Sequence, residues 1–409
     1  MTEYEINYPF VILLIGSVII LTIILKGALQ KIGVPPLVGY LVLGFLLSLA
    51  NQRWQILRPA SGDIFGFLAE IGLITLLFRV GLESDLHGLL AQLRRASLVW
   101  MANVGVSGLI GFVTAVYLLH LTWITGTIVA AAFTATSVGI SVAVWEEQGY
   151  LKTPRGELLV DVAELDDISA VVIMALLFAL LPVLRGGGEN TALLPTAGWT
   201  LGLFTLKLVL FGCFCFLFSR YLERPITDYF RDLTPASDAM LVVAAIGFII
   251  AAFADLLGFS LAIGAFFAGL VFSRDPDAVK MEASFLPLYE FFSPFFFIGI
   301  GMDLDPSGLV TALGPGLVLF GAAVVSKLAA NVLPVWLMTD LKSGILIGVS
   351  MVPRAEIAMI IMHRGLKLGD WAVPSKVYGA VVLVSALTCV GAPLIVRRLL
   401  ATSPQEDTS

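Results

Sequence analysis

Val162-Ala163-Glu164-Leu165-Asp166-Asp167-Ile168 stands in the middle of an apolar run that extends over residues 156–184. About 20 apolar residues in a helix cross the ~30 Å hydrocarbon core of a bilayer, so a run of this length reads as a spanning helix. Asp166 and Asp167 follow Glu157, where the helix opens, by about ten residues, which at ~1.5 Å per residue places them about 15 Å along it, near mid-depth. A charged side chain there costs roughly 2.5–3.5 kcal/mol on insertion scales. An adjacent pair of carboxylates at that depth marks a functional position, the place where a transporter holds a cation or a proton.

The rest of the chain agrees with a membrane setting. Of 409 residues, 58% are hydrophobic and 13% charged, against about 25% charged in soluble domains. The fold class is an all-α polytopic membrane protein. The net charge of −6 resides in loops and carries no indication of nucleic acid. Cys213, Cys215 and Cys389 lie in apolar segments and form neither a disulfide framework nor metal-ligand spacing. His87, His120 and His363 stand beside no nucleophile, so an enzyme is not expected, nor is any cofactor beyond a transported cation and proton. No basic stretch precedes the first apolar run, which is therefore expected to stay as a spanning helix. Only about ten polar residues follow Arg398, so no soluble C-terminal domain is expected.

Apolar runs with polar breaks predict about 13 transmembrane helices, at 8–26, 35–50, 62–82, 97–119, 123–147, 156–184, 199–221, 238–256, 258–273, 285–303, 309–338, 343–365 and 375–396. With the N-terminus outside, the inside set of basic residues is Lys26, Lys31, Arg94, Arg95, Lys152, Arg155, Arg220, Arg224, Arg231, Arg274, Lys280, Lys342, Arg397 and Arg398. The outside set is Arg53, Arg58, Arg185, Arg364, Lys367 and Lys376, fourteen against six. The positive-inside bias then gives N-terminus outside and C-terminus inside.

The chain also repeats itself. Leu68, Glu70, Gly81-Leu82, Asp85 and Gly88-Leu89 recur at an offset of 220 as Leu288, Glu290, Gly301-Met302, Asp305 and Gly308-Leu309. Gly33, Gly39 and Gly44 recur at an offset of 225 as Gly258, Gly264 and Gly269. Seven spans separate the copies, an odd number, so the second enters the membrane inverted. Inverted repeats of about 30–184 and 238–396 are the architecture of secondary transporters, with broken helices and a midplane site at corresponding places. The corresponding places exist. Thr134-Ala135-Thr136-Ser137-Val138-Gly139 interrupts one apolar run, and adding 220 to Thr134 reaches Val352-Pro353-Arg354-Ala355-Glu356, where proline breaks the helix.

Unwound backbone at that depth is tolerated only where it is buried in protein or lines a cavity. Arg354 and Glu356 are read as balancing the carbonyl and amide ends of the half-helices, with direct ion ligation as the alternative. Thr136 and Ser137 offer oxygens to a cation, or bond back to their own helix. Lys327 lies about 11 residues inside its span, too deep to snorkel, and a buried ammonium needs an anion; Asp166 and Asp167 are the candidates at its depth. Asp161 and Glu164 share a helix face with Glu157 and Asp167 and form a possible entry funnel that concentrates cations.

These motifs, in this order, resemble the bacterial monovalent cation/proton antiporters, specifically the NapA-type sodium/proton antiporters, with a broader likeness to Kef-type potassium/proton antiporter membrane domains. Carrying the resemblance are Gly33-Val34-Pro35-Pro36-Leu37-Val38-Gly39-Tyr40, Leu76-Leu77-Phe78 with Gly81-Leu82-Glu83, and Ala135-Thr136-Ser137-Val138-Gly139-Ile140. Asp166-Asp167, Gly264-Ala265-Phe266 with Ala268-Gly269, Lys327 and Pro353-Arg354-Ala355-Glu356 complete it. The family's usual Pro-Arg-Gly-Glu is Pro-Arg-Ala-Glu here. The resemblance implies an NhaA/NapA-like fold with two crossed discontinuous helices. Residues 62–184 and 285–365 would form an ion-translocating core, and 8–50 and 199–273 a scaffold and dimer interface. It further implies that Asp167 is the main binding carboxylate for Na+ and protons, that Asp166 pairs with Lys327, and that the protein is a homodimer. The function it implies is electrogenic Na+(Li+)/H+ exchange serving pH homeostasis at the inner membrane. K+/H+ exchange and a Na+-coupled solute symporter are the alternatives. Arg79 is read as snorkelling, and Lys207 receives no role.

Overall fold

The computed structural model describes residues 8–55, 59–84, 86–186, 193–223, 225–226, 228–229, 239–273 and 278–402. Asp85 of the repeat and Arg58, Arg224, Arg231 and Arg274 of the loop-charge count lie outside them. Among the described residues, nine helices are long and apolar enough to span a membrane. The four remaining predicted runs are helical too, giving thirteen helical segments in chain order.

The elements are α1 (Tyr8–Lys31), α2 (Pro36–Trp54), α3 (Pro59–Glu83), α4 (Leu86–Val113), α5 (Trp123–Thr134), α6 (Gly139–Glu147), α7 (Pro154–Gly186) and α8 (Leu193–Leu217). They continue as α9 (Ala239–Leu256), α10 (Leu261–Phe272), α11 (Ala278–Met302), α12 (Leu309–Met338), α13 (Leu341–Ser350), α14 (Glu356–Leu368) and α15 (Ser375–Ala401). Single π-helical turns at Thr114–Leu118 and Phe218–Leu222 extend α4 and α8. The two runs expected to be interrupted are the two that split, into α5 with α6 and α13 with α14. Side-chain caps open several helices where the chain leaves a turn. Thr122 Oγ1 accepts from the Thr125 amide ahead of α5 at 3.2 Å, and Asp340 Oδ1 accepts from the Ser343 amide ahead of α13 at 3.0 Å.

Backbone contacts group the chain into two compact units. The first holds Met1–Ile20, Trp54–Gly88 and Ala175–Gly299. In it α10 is buried on nearly every side and packs along α3 and α9. The approach of α3 and α10 depends on glycine: a β-carbon on Gly81 would collide with the Phe266 carbonyl, and one on Gly269 with the Phe78 carbonyl. Small residues let membrane helices approach backbone to backbone in this way. Phe78 fills the remaining space against Phe272 and Phe285, with ring centroids 6.2 and 5.1 Å away. Arg79 is ion-paired with Glu83 at 2.5 Å and lies 4.5 Å over the Tyr289 ring. Lys207 donates to the Leu257 carbonyl at 3.1 Å, just past the C-terminal end of α9, where a cation suits the helix dipole.

The second unit holds Leu21–Arg53, Leu89–Met174 and Ile300–Ser409. Here α12 packs against α13 and α15, α14 against α5 and α15, and α6 against α15. This unit repeats the glycine contact of the first. A β-carbon on Gly301 would meet the Leu41 carbonyl and the Phe45 amide, as one on Gly81 would meet the Phe266 carbonyl and the Leu270 amide. Gly81 and Gly301 differ by 220, while Leu41 and Phe266, like Phe45 and Leu270, differ by 225. Both offsets found in the sequence therefore reappear in one pair of equivalent contacts. Gly33 and Gly258, also 225 apart, both take left-handed φ values, 72° and 88°, in the turns before α2 and α10, a conformation glycine adopts without strain.

Candidate ion-binding site

The site is built where the two broken runs meet. After Thr134 the chain turns extended at Ala135 (φ −64°, ψ 140°) and α6 resumes at Gly139. Met351–Ala355 separates α13 from α14; Pro353 has no amide to continue the ladder. The first residues of the two breaks, Ala135 and Met351, are 216 apart and the last, Val138 and Ala355, 217, slightly short of the 220 read from the flanking repeat. The Ser137 amide donates to the Pro353 carbonyl at 2.8 Å.

Arg354, 1% exposed, answers the free carbonyls at the end of α5. Its Nη1 donates to Ala132 at 3.2 Å, to Ala135 at 3.1 Å and to Phe133, and Nη2 donates to Ser326 Oγ at 3.3 Å. The guanidinium also lies 4.4 Å over the Phe133 ring. Glu356 occupies the first turn of α14, where a carboxylate complements the helix N-terminus, and accepts from Ser137 Oγ at 2.5 Å. Thr136 Oγ1 is buried beside Asp166 and, among the described residues, has no partner in hydrogen-bond geometry. It is Thr134, two residues earlier, that bonds back to its own helix, donating to the Ala131 carbonyl at 2.8 Å.

Lys327 on α12 and Asp166 on α7 are both fully buried. Lys327 Nζ lies 3.7 Å from Asp166 Oδ2 and donates to Thr134 O at 2.8 Å and Asn103 Oδ1 at 2.9 Å. The lysine thus also serves the open C-terminal end of α5. Asp167 is half-buried and interacts electrostatically with Lys327. Asp161 and Glu164 precede it on the same face of α7, the first nearly buried and the second half-buried. Counted by formal charge, Asp166 and Asp167 stand by Lys327, Asp166 also by Arg354, and Glu356, bonded to Ser137, adds a third carboxylate at the breaks: three carboxylates against two cations. One monovalent cation, or one proton, makes the cluster neutral.

Three contributors, Asn103, Asn331 and Ser326, were not singled out from the sequence. Asn103 Nδ2 donates to Asp166 Oδ1 at 2.8 Å, and Asn331 Nδ2 donates to Asn103 Oδ1 at 3.0 Å. Beside the site and outside its charge cluster, Trp100 Nε1 donates to Ser169 Oγ at 3.0 Å, and Ser169 Oγ to the Asp166 main-chain carbonyl at 3.0 Å. Ser326 accepts from Arg354, as described above. The available signal was modest: a lone amide inside the apolar run 97–119, and an Asn four residues after Lys327, hence on its face.

The family model described as sodium/hydrogen exchanger, transmembrane, matches residues 17–402. The chain belongs to that family. It is 27% identical to a Na+/H+ antiporter of Enterococcus hirae over 90% of this chain and 92% of that protein. It is 29% identical to the Na+/H+-K+ antiporter GerN of Bacillus cereus over 92% and 93%, and 25% to the high-affinity Na+/H+ antiporter NhaS3 of Synechocystis sp. over 88% and 77%. Its fold is similar to that of the sodium proton antiporter MjNhaP1 of Methanocaldococcus jannaschii, with a TM-score of 0.69 at 15% identity, covering 97% of this chain and 99% of that one. The family is one of transporters, and this member is a multi-pass membrane protein.

Outside the spans, two carboxylates are held in their charged form. The Asp340 carboxyl lies below the ordinary 3.8 because Ser343 donates to it from both hydroxyl, at 2.5 Å, and amide, with Arg155 adding an ion pair at 3.3 Å. Asp303 is partly buried, which pushes its carboxyl up. His363 Nδ1 at 3.2 Å and Lys367 Nζ at 2.9 Å outweigh that and hold it below 3.8.

Proposed function

We propose that the protein is a homodimeric monovalent cation/proton antiporter of the bacterial cytoplasmic membrane, exchanging Na+ or Li+ for H+ by alternating access, with its N-terminus outside. The carrying observation is the unequal charge cluster at the helix breaks, three carboxylates against two fixed cations at the centre of the second unit. Burial penalises the charged form of a carboxylate, so the cluster rests neutral when it holds a cation or a proton and carries a charge when it holds neither. Moving the empty, charged site across the barrier costs on the order of 3 kcal/mol, enough to slow the uncoupled cycle more than a hundredfold.

Asp167, the more accessible member of the pair, receives the cation or the proton. Thr136 Oγ1 and Asp166 Oδ2, buried oxygens without a donor in hydrogen-bond geometry among the described residues, complete the oxygen set, and the Ser137 hydroxyl, committed to Glu356, sets its edge. When the cation draws Asp166 away, Lys327 stays held by Asn103 Oδ1 and Thr134 O. Asp161 and Glu164 guide cations along α7. Arg354 and Glu356 hold the broken helices and carry no transported ion. No resident cofactor takes part.

The test is pH-dye fluorescence in proteoliposomes on addition of Na+, Li+ or K+, with Asp167→Asn as control. Proton movement driven by Na+ and abolished by Asp167→Asn is expected; movement unaffected by that substitution would overturn the assignment. GerN's name includes K+, so a K+ response equal to the Na+ response would reassign the substrate to K+.

A further inference from the structure

The Asp166–Lys327 pair is bridged rather than closed. Its charges stand 3.7 Å apart, beyond hydrogen-bond length, and a single carboxamide joins them. Asn103 Nδ2 donates to Asp166 Oδ1 at 2.8 Å while Asn103 Oδ1 accepts from Lys327 Nζ at 2.9 Å. The amide has one workable orientation, because an ammonium offers only donors and must face its oxygen. Asn331 reinforces that orientation. Its Nδ2 is anchored on the Lys327 carbonyl at 2.8 Å and donates to Asn103 Oδ1 at 3.0 Å. Flipping Asn103 would turn its NH2 group toward two donors. All four side chains are fully buried, so no solvent replaces a lost partner.

The bridge divides the labour between the two carboxylate oxygens. Oδ1 of Asp166 is committed to Asn103, and among the described residues Oδ2 has no donor in hydrogen-bond geometry. The carboxylate can therefore turn Oδ2 to an arriving cation while Oδ1 stays tethered, and Lys327 keeps acceptors in Asn103 Oδ1 and Thr134 O as the charges part. We propose that Asn103, locked by Asn331, is a positioning residue of the exchange cycle: it lets the buried ion pair open and re-form without leaving either member unpartnered. This inference rests on the exchange function proposed above. The general attachment of α4 to α7 is separable from it, because Trp100 makes its own bond to Ser169 one turn away and touches neither charge.

The experiment compares Asn103→Ala, Asn331→Ala and Trp100→Phe by two readouts. In proteoliposomes, Asn103→Ala is expected to displace the pH profile of Na+-driven proton movement by about half a pH unit or more and to raise the apparent KM for Na+ about threefold or more. Asn331→Ala should act in the same sense with smaller amplitude, and Trp100→Phe should leave profile and KM unchanged. In detergent, where nothing is transported, the melting temperature is followed against pH. Asn103→Ala should change the shape of that curve, whereas Trp100→Phe should lower it evenly. A wild-type shape and profile in Asn103→Ala, or an equal displacement in Trp100→Phe, would overturn the inference. Should Asn103→Ala fail to fold, Asn331→Ala decides by the same criteria. A wild-type protein that moves no protons with any cation defeats the exchange reading alone, because the melting curves still judge the bridge.

Discussion

The amide of Ser137 donates to the carbonyl of Pro353 at 2.8 Å, so the two interrupted helices are tied main chain to main chain at the place where each has lost its own ladder. Backbone groups away from water must find partners within the protein. The remaining open ends are answered by side chains placed beside the breaks. Arg354 and Lys327 take the carbonyls of α5, and Glu356 sits at the start of α14 and holds Ser137. The same geometry places Arg354, Lys327 and Glu356 at the two breaks.

Arg354 is the residue on which this crossing most depends. Arg354→Ala strips a donor from three carbonyls and from Ser326, and leaves the neighbouring buried Asp166 with one cation fewer. Removing one member of a buried charge network costs about 3–5 kcal/mol, so the variant should be recovered mostly as aggregate in size-exclusion chromatography. Arg354→Lys keeps the charge but loses the planar fork that reaches several acceptors at once, and should melt between wild type and the alanine variant. An alanine variant that elutes and melts like wild type would refute this account.

Gly→Ala should take one sign at the two equivalent glycine contacts and the other at a helical glycine facing open space. At Gly81 and Gly301 a methyl group meets a backbone carbonyl of the neighbouring helix, whereas at Gly314, also within a helix, nothing lies within 4 Å. Relief of backbone entropy favours Gly→Ala in a helix by up to about 1 kcal/mol, and overpacking against backbone costs about 1–3 kcal/mol. Gly81→Ala and Gly301→Ala should therefore lower the melting temperature, each by a similar amount, and Gly314→Ala should leave it unchanged or raise it. Thermal scanning of the three variants checks the order.

How much of this was legible beforehand follows from the cost of each feature. Charges in lipid are expensive enough to stand out, so Asp166, Asp167, Lys327 and Arg354 announce themselves against an apolar background. Pro353 betrays its helix break directly, and the repeat carries that break over to Ala135–Val138. Asn103 was not legible as a bridge. An amide in an apolar run can satisfy itself locally, and its partners Asp166 and Lys327 lie 63 and 224 residues away in sequence. Lys207 stayed unassigned for the same reason: its acceptor, the Leu257 carbonyl, is a main-chain atom that no side-chain pattern signals.

A pH effect on stability is expected at the end of α14. Asp303, paired with His363 and Lys367, has its carboxyl held below the ordinary 3.8. A depressed carboxyl contributes stability that is present above its unfolded value and is lost as pH falls through its folded value. The melting temperature of Asp303→Asn should then lie below that of wild type near neutral pH, with the gap closing only as pH drops below the usual carboxylate range. A gap that widens on acidification would reverse the sign and remove the pairing from the account.

Cation binding should be visible without any transport. A ligand that binds the folded state alone stabilises it by RT ln(1 + [L]/Kd), about 2.7 kcal/mol at a hundredfold excess over Kd. Na+ should therefore raise the melting temperature of the detergent-solubilised protein at constant ionic strength, with choline as the balancing cation. On the exchange function proposed above, proton and cation compete for one neutralising position in the three-to-two cluster, so the Na+-induced rise should shrink as the pH is lowered. Asp167→Asn keeps the shape of the side chain but removes a charge, leaving two carboxylates against two cations. Its cluster is already neutral, so the rise should vanish at every pH. A Na+ effect that persists in Asp167→Asn, or that grows on acidification, would show that the cation binds elsewhere and that the charge imbalance at the helix crossing does not govern it.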